Sequence, residues 1–292
     1  MNLTGVHTAL VTPMNRDGSI DEKALRELVD FQISSGISGL VPVGTTGESP
    51  TLSHDEHHKV IEIVIDQTNK RVPVIAGTGS NSTREAVDLT RHAKSAGADI
   101  SLQVAPYYNK PSQEGFYRHF MSVVEAVDMP IIVYNIQGRT GKNIENDTML
   151  RLAEHPLVIG VKEASGSIPQ VMNLVEKKPD GFDIVSGDDN LTLPIISVGG
   201  VGVISVASNV IPKEMGDLVK AAVAGDMDEA RRIHYRLLPL FRAEFIDTNP
   251  IPIKYMCALK GMLEETYRLP LCSMDDSLKT SVRDVMQRLS LV

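Results

Sequence analysis

Leu157-Val158-Ile159-Gly160-Val161-Lys162-Glu163-Ala164-Ser165-Gly166 is an apolar run rich in β-branched residues that stops at two charges and three small residues. A segment of this kind reads as a buried strand opening into a loop. Similar runs recur along the chain, at residues 6–11, 39–43, 72–76, 100–105, 131–135, 158–162, 182–186 and 202–206. Their spacing, roughly 25–35 residues, leaves room for one helix and short loops between successive strands. The intervening segments carry helical periodicity. Ser53 with Glu56 and Ser82 with Glu85 have the spacing of capping boxes, and Asp21 and Ser112 are placed as N-caps.

Eight strands alternating with eight helices is the count of a (β/α)8 TIM barrel, an α/β fold; a doubly wound sheet rarely needs so many. After the eighth strand the strand signal stops, and residues 216–224, 227–245, 253–263 and 275–291 read as helices. The expectation is a barrel with the active site over residues 1–224 and a C-terminal helical domain over 225–292. No low-complexity linker separates the two, so the appendage is expected to pack against the barrel.

The 292 residues, 42% of them hydrophobic and 23% charged, supply enough apolar material for a large core. A net charge of −8 with no block of lysines and arginines argues against nucleic acid or an anionic membrane as partner. Cys257 and Cys272 form neither a CxxC pair nor a metal spacing and are expected to be reduced and buried. Residues 1–6 lack the basic region and apolar core of a secretion signal, and no apolar stretch approaches the ~18 residues of a membrane span. A cytoplasmic location is expected.

In a barrel the chemistry sits at the carboxyl ends of the strands. The second strand ends in Gly44-Thr45-Thr46-Gly47-Glu48 and the fourth in Pro106-Tyr107-Tyr108-Asn109. The fifth runs through Tyr134-Asn135 to Arg139-Thr140-Gly141, and the sixth ends in Lys162. A lysine at a buried strand end loses hydration, its pKa should fall from ~10.4, and the free amine forms imines with ketones. Taken alone, Lys162 fits as well a lysine that snorkels to solvent or pairs with Glu163. The Gly44–Gly47 amides and hydroxyls suit a small carboxylate, or an ordinary turn that caps the next helix. Tyr134 is placed to pass a proton to a carbinolamine oxygen, or is a rim tyrosine whose hydroxyl finds a partner. Arg139 offers a planar fork for a substrate carboxylate, or a surface ion pair. The chemical readings are favoured by their convergence at four strand ends.

Two motifs point elsewhere. Gly77-Thr78-Gly79-Ser80-Asn81-Ser82 begins like a dinucleotide fingerprint but has Ser82 where the third glycine belongs, so NAD is not expected. His54-Asp55-Glu56-His57-His58 lacks the HExxH spacing and lies in the first turn of a capped helix, where a solvated polar face is the usual meaning; no metal is expected. Gly199-Gly200-Val201-Gly202 reads as a tight turn.

Gly44-Thr45-Thr46-Gly47-Glu48, Tyr134-Asn135 with Arg139-Thr140-Gly141, and Gly160-Val161-Lys162-Glu163-Ala164 together resemble the signatures of the pyruvate-dependent class I aldolase superfamily. The resemblance runs nearly end to end. Thr45, the Tyr107-Tyr108 doublet, Arg139 and Thr248-Asn249-Pro250-Ile251-Pro252-Ile253-Lys254 are closest to its 4-hydroxy-tetrahydrodipicolinate (dihydrodipicolinate) synthase branch. The alternative is a related aldolase, such as the N-acetylneuraminate lyases or keto-deoxy sugar acid aldolases. The synthase resemblance implies condensation of pyruvate with L-aspartate 4-semialdehyde, as a step of lysine and diaminopimelate biosynthesis, without metal or organic cofactor. It implies an imine on Lys162, a proton relay of Thr45, Tyr134 and Tyr108, and Tyr108 reaching in from a neighbouring subunit. Thr46, Arg139, Ile204 and Gly187 are then substrate-binding, and the assembly is a homo-oligomer, a dimer of dimers. Members inhibited by L-lysine imply an effector site at Ser49, Pro50, His54, His57, Asn81, Glu85 and Tyr107. Two positions depart from the pattern: Gln137 stands where Pro is common, and Pro50 where lysine-sensitive members often have Ala.

Overall fold

Each of the eight apolar runs contributes a strand to the computed structural model, which describes residues 2–292. The strands are β1 Gly5–Ala9, β2 Gly39–Val41, β3 Ile75–Gly77, β4 Ile100–Val104, β5 Ile131–Asn135, β6 Val158–Glu163, β7 Asp183–Ser186 and β8 Gly202–Ser205. All pair in parallel, in the order β2-β1-β8-β7-β6-β5-β4-β3. The ring is closed between β2 and β3 by the parallel bridge Leu40–Val74 and by the Gly77 amide donating to the Pro42 carbonyl at 3.0 Å. This is the expected TIM barrel.

The helices between strands are α1 Glu22–Ser34, α2 His54–Thr68, α3 Thr83–Ala96, α4 Gln113–Val127, α5 Gln137–Thr140, α6 Asn146–Ala153, α7 Ile168–Lys177 and α8 Thr192–Ser197. The connection from β5 to β6 thus carries two helices, the short α5 being the segment that bears Arg139. Helix α9, Pro212–Val223, follows β8 and begins four residues before the sequence expectation, because Pro212 supplies a pre-set φ in its first turn. Then come α10 Met227–Ala243, α11 Ile251–Leu259 and α12 Asp276–Arg288. Phe241, Met256 and Val282 from these last three share one apolar core with Leu10 and Val43 of the barrel. No described helix is long and apolar enough to cross a membrane.

Local signals decide where the helices start. Asp21, Ser53 and Ser112 accept from the third residue beyond them, and Ser53 with Glu56 forms the reciprocal box. Ser82 also caps its helix, but the Glu85 carboxylate does not return to it: it bonds Ser80 Oγ and His54 Nε2 instead. Cys257 is buried as expected. Cys272 is exposed, in the segment between α11 and α12 that lies on the surface.

One irregularity directs the chemistry. In the β5–β6 ladder Ile131 pairs with Val158 but Ile132 pairs with Gly160, so β6 carries a bulge. Val158 packs in the outer core, whereas Ile159 faces the barrel interior, and a side chain at Gly160 would strike interior Leu3 at 2.9 Å. Strict alternation from Val158 would turn Lys162 outward; the extra residue turns it inward, in register with Tyr134.

Candidate active site

Lys162, Tyr134, Thr45, Thr46, Arg139 and Tyr107 line one cavity of about 240 Å³ at the carboxyl end of the barrel. Lys162 is 5% exposed and its Nζ lies 4.2 Å from the centroid of the Tyr134 ring. Burial pushes its ammonium down to about 8; Asp189 and Asp188 resist that fall and Arg139 adds to it. At pH 7 about a tenth of such a lysine is the free amine, against well under a thousandth for an ordinary one. Burial also pushes the Tyr134 phenol up to about 12, with Arg139 and the neighbouring Thr45 hydroxyl acting against it. Tyr134 is therefore a neutral proton donor beside a neutralisable amine.

The Gly44–Glu48 segment is a tight double turn, closed by the Gly47 amide on Gly44 O at 3.1 Å and the Glu48 amide on Thr45 O at 3.1 Å. The amides of Thr45 and Thr46 find no acceptor among the described residues, which leaves two donors for a bound carboxylate. Gly187 lies against the lysine stem: a Cβ there would sit 3.1 Å from Lys162 Cγ and Cε. Ile204 is in β8 with its side chain in the barrel interior, and it does not line the cavity.

The two adjacent tyrosines part company. Tyr107 lines the cavity of its own chain, whereas Tyr108, 89% exposed and at φ 67°, is not among the residues that line it. The residues expected for L-lysine fall into separate groups. Ser49 and Pro50 stand on the cavity wall with Tyr107. His54 and Glu85 pair at 2.8 Å beside a second, more open cleft. His57 is not on a solvated face: it is buried, its Nε2 bonds Gly77 O at 2.9 Å, and burial lowers its pKa to about 4. Asn81 is half-buried, and its carbonyl accepts from Asn109 Nδ2 at 2.8 Å.

The glycines that mimic a dinucleotide motif have a packing role. A Cβ at Gly77 would lie 2.7 Å from Val43 O, and one at Gly79 would lie 2.3 Å from Val104 N. Gly202 sits in β8 itself, where a Cβ would meet Gly5 O at 2.2 Å, so the Gly199–Gly202 stretch is turn and strand together. Among the described residues no group of three or more His, Cys, Asp or Glu is arranged to hold a metal ion.

Several residues at the site carried no assigned role in the sequence reading. Asn249, from the segment before α11, donates its Nδ2 to Thr46 Oγ1 at 3.0 Å and accepts from Arg139 Nη2 at 3.0 Å through its carbonyl. Lys254 of α11 reaches Glu48 at 2.5 Å, with both side chains fully buried. The carboxyls of Asp188 and Asp189 follow Gly187. The sequence signal for the first two is the Thr248–Lys254 motif, which by itself gives neither residue a role.

The model of the dihydrodipicolinate synthetase family matches residues 2–289. The 4-hydroxy-tetrahydrodipicolinate synthase of Pelobacter propionicus is 53% identical over 288 residues, covering 99% of this chain and 99% of that protein. The crystal structure of the chloride-inhibited dihydrodipicolinate synthase from Acinetobacter baumannii, complexed with pyruvate, superposes with a TM-score of 0.98 at 41% identity, over 100% of both chains. That of the Cyanidioschyzon merolae enzyme with lysine bound gives a TM-score of 0.97 at 40% identity, over 99% of each. A fold, a cavity and a sequence that agree over the whole length admit one conclusion: the chain belongs to the dihydrodipicolinate synthetase family, lyases of the class I aldolase type.

Proposed function

We propose that this chain condenses pyruvate with L-aspartate 4-semialdehyde to give 4-hydroxy-tetrahydrodipicolinate, in lysine and diaminopimelate biosynthesis, through an imine on Lys162. The observation that carries the reading is a desolvated lysine beside a neutral phenol in a cavity with two free amides. The Lys162 amine adds to C2 of pyruvate, whose carboxylate the Thr45 and Thr46 amides hold. The carbinolamine takes a proton on oxygen from Tyr134, itself beside Thr45, and loses water. Loss of a methyl proton gives the enamine, whose carbon attacks the aldehyde. The substrate amine then displaces Lys162 by transimination and closes the ring. Arg139 at the mouth binds the carboxylate of the semialdehyde, and Ile204 and Gly187 contribute backbone contacts near the lysine.

The proton path is completed by Tyr108 from a second copy of the chain. Its exposure and its absence from the lining of its own cavity support this, and the assembly follows as a dimer, paired again into a tetramer. A biosynthetic enzyme of this kind belongs in the cytoplasm. Borohydride reduction with pyruvate is expected to leave an adduct on Lys162, followed by turnover of L-aspartate 4-semialdehyde and none of N-acetylneuraminate. Turnover of the sugar acid alone would move the chain to the lyase branch; no adduct would remove both readings.

The sign of the pH dependence follows from burial of the amine. Only the free base attacks pyruvate, so the initial rate of adduct formation should rise with pH and level off above about 8. A rate that is flat through that range would show that Lys162 is not the titrating nucleophile.

L-lysine is proposed as a feedback inhibitor, bound by Ser49, Pro50, His54, His57, Asn81, Glu85 and Tyr107, with Glu85 facing the ligand ammonium. Support comes from the lysine-bound relative and from the His54–Glu85 pair beside an open cleft. Pro50 offers no N–H there, which should weaken affinity relative to an alanine. Titration of initial rate with L-lysine should show inhibition; an unchanged rate at millimolar concentration would overturn it.

A further inference from the structure

Two carboxyl groups lie near Lys162 and a third lies behind them, and the mechanism above uses none of the three. Asp188 and Asp189 directly follow Gly187, the residue packed against the Lys162 stem. Asp189 is 1% exposed and sits in a nest of donors: Ser205 Oγ at 2.6 Å, the Val206 amide at 2.8 Å and the Ala207 amide at 3.0 Å. Three donors to one carboxylate stabilise its charge. The third acid, Glu244, caps the C-terminal end of α10 and is fully buried. Neither of its oxygens receives a hydrogen bond from an N–H or O–H among the described residues. Helix α10, which Glu244 ends, packs on the turn Asp189–Leu191, and the Asp189 carboxyl is the first neighbouring charge that acts on Glu244.

Two buried carboxyls this close in the fold, with no cation between them, are disfavoured as a pair of anions, so one proton is shared by the two. The donors decide its place: they converge on Asp189, while Glu244 has none. We propose that Glu244 is a neutral acid that donates its proton to Asp189, so that the pair carries a single negative charge whose position sets the fraction of free amine at Lys162. This rests on reading Lys162 as the imine-forming lysine. Burial and the Asp189 charge raise Glu244 well above the ordinary carboxyl range, in agreement with the geometry. Lys162 faces Asp189 and Asp188, which favour its cation, Arg139, which opposes it, and the neutral Tyr134. Glu244 faces Asp189 and Asp188. The same charge would stabilise the protonated imine, the electron sink that makes the pyruvate methyl acidic. Glu244 thus acts as a positioning residue, supplied to the barrel by the C-terminal helices.

The test reads Lys162 without pyruvate: competitive acetylation by acetic anhydride across pH, with labelling at Lys162 quantified by mass spectrometry. Asp189→Asn removes the charge and should lower the labelling midpoint by about one pH unit. Glu244→Gln replaces a neutral donor by a neutral donor and should keep the midpoint of the unmodified protein. A drop in Glu244→Gln as large as in Asp189→Asn would put the charge on Glu244 and overturn the proposal; so would an unmoved midpoint in Asp189→Asn. Should either variant fail to fold, infrared spectra of the unmodified protein at neutral pH still decide: the carbonyl stretch of a protonated carboxylic acid is expected, and its absence overturns the proposal. Borohydride trapping with pyruvate on the same preparation tests the imine reading separately, so the two can fail independently.

Discussion

Lys162→Ala should form no borohydride-stable adduct with pyruvate and should lose at least about four orders of magnitude in kcat. The loss is in chemistry and not in binding. The Thr45 and Thr46 amides, proposed above to hold the pyruvate carboxylate, belong to a turn closed by its own hydrogen bonds, and nothing in that turn leans on the lysine. Substrate affinity measured by calorimetry should therefore change far less than turnover. Lys162→Arg makes the argument sharper, because it keeps a cation at the position but offers no amine that can be neutral near pH 7. It too should give no adduct. Residual turnover within tenfold of the unmodified protein, in either variant, would mean that the imine forms elsewhere or not at all.

The barrel and the buried strand-end lysine were legible in the sequence for one reason: both are written in local pattern. Short apolar runs at a regular spacing define strands whatever they pack against, and a lysine closing such a run announces its own desolvation. What the pattern could not show was the direction Lys162 faces. The bulge between Val158 and Gly160 is a matter of pairing with β5, so the alternation within 158–162 gives the wrong face if counted without it. The burial of His57 escapes local pattern for a related reason. Its neighbours His54 and Asp55 are exposed, but position 57 turns toward the end of β3, where Gly77 O is waiting.

The acidic and amide partners were invisible for a different reason. Asp189 meets Glu244, Thr46 meets Asn249 and Glu48 meets Lys254 across 55, 203 and 206 residues of chain. Each pairs a barrel residue with one of the C-terminal helical region, and no local window contains both halves. The consequence concerns function. The C-terminal region is not only a cover for the barrel, since its Asn249 holds Thr46 and touches Arg139, and its Glu244 is an acid near the Lys162 counter-charge.

Breaking the Glu48–Lys254 pair is expected to cost about 3–5 kcal/mol of stability in either single variant, Lys254→Met or Glu48→Gln. Both side chains are fully buried, and Lys254 Nζ is also held by the Thr266 carbonyl at 2.6 Å. Burial lowers the Lys254 pKa and the Glu48 carboxylate works against that fall. Removing one leaves a buried charge without its partner. Glu48→Gln strands the lysine; Lys254→Met strands a carboxylate whose Oε2 already lacks a donor. The double variant Glu48→Gln with Lys254→Met contains no stranded charge and should recover most of the loss, giving a coupling energy that urea denaturation midpoints can measure. Glutamine is chosen because Glu48 sits at φ 57°, where a β-branched or bulkier apolar replacement would add backbone strain of its own. Activity should follow stability in this series, because Glu48 ends the turn that carries Thr45 and Thr46, and a carboxylate free to move would loosen both amides. Single variants that cost less than about 1 kcal/mol would show that water reaches the pair, and that the C-terminal helices do not hold the Gly44–Glu48 turn through it.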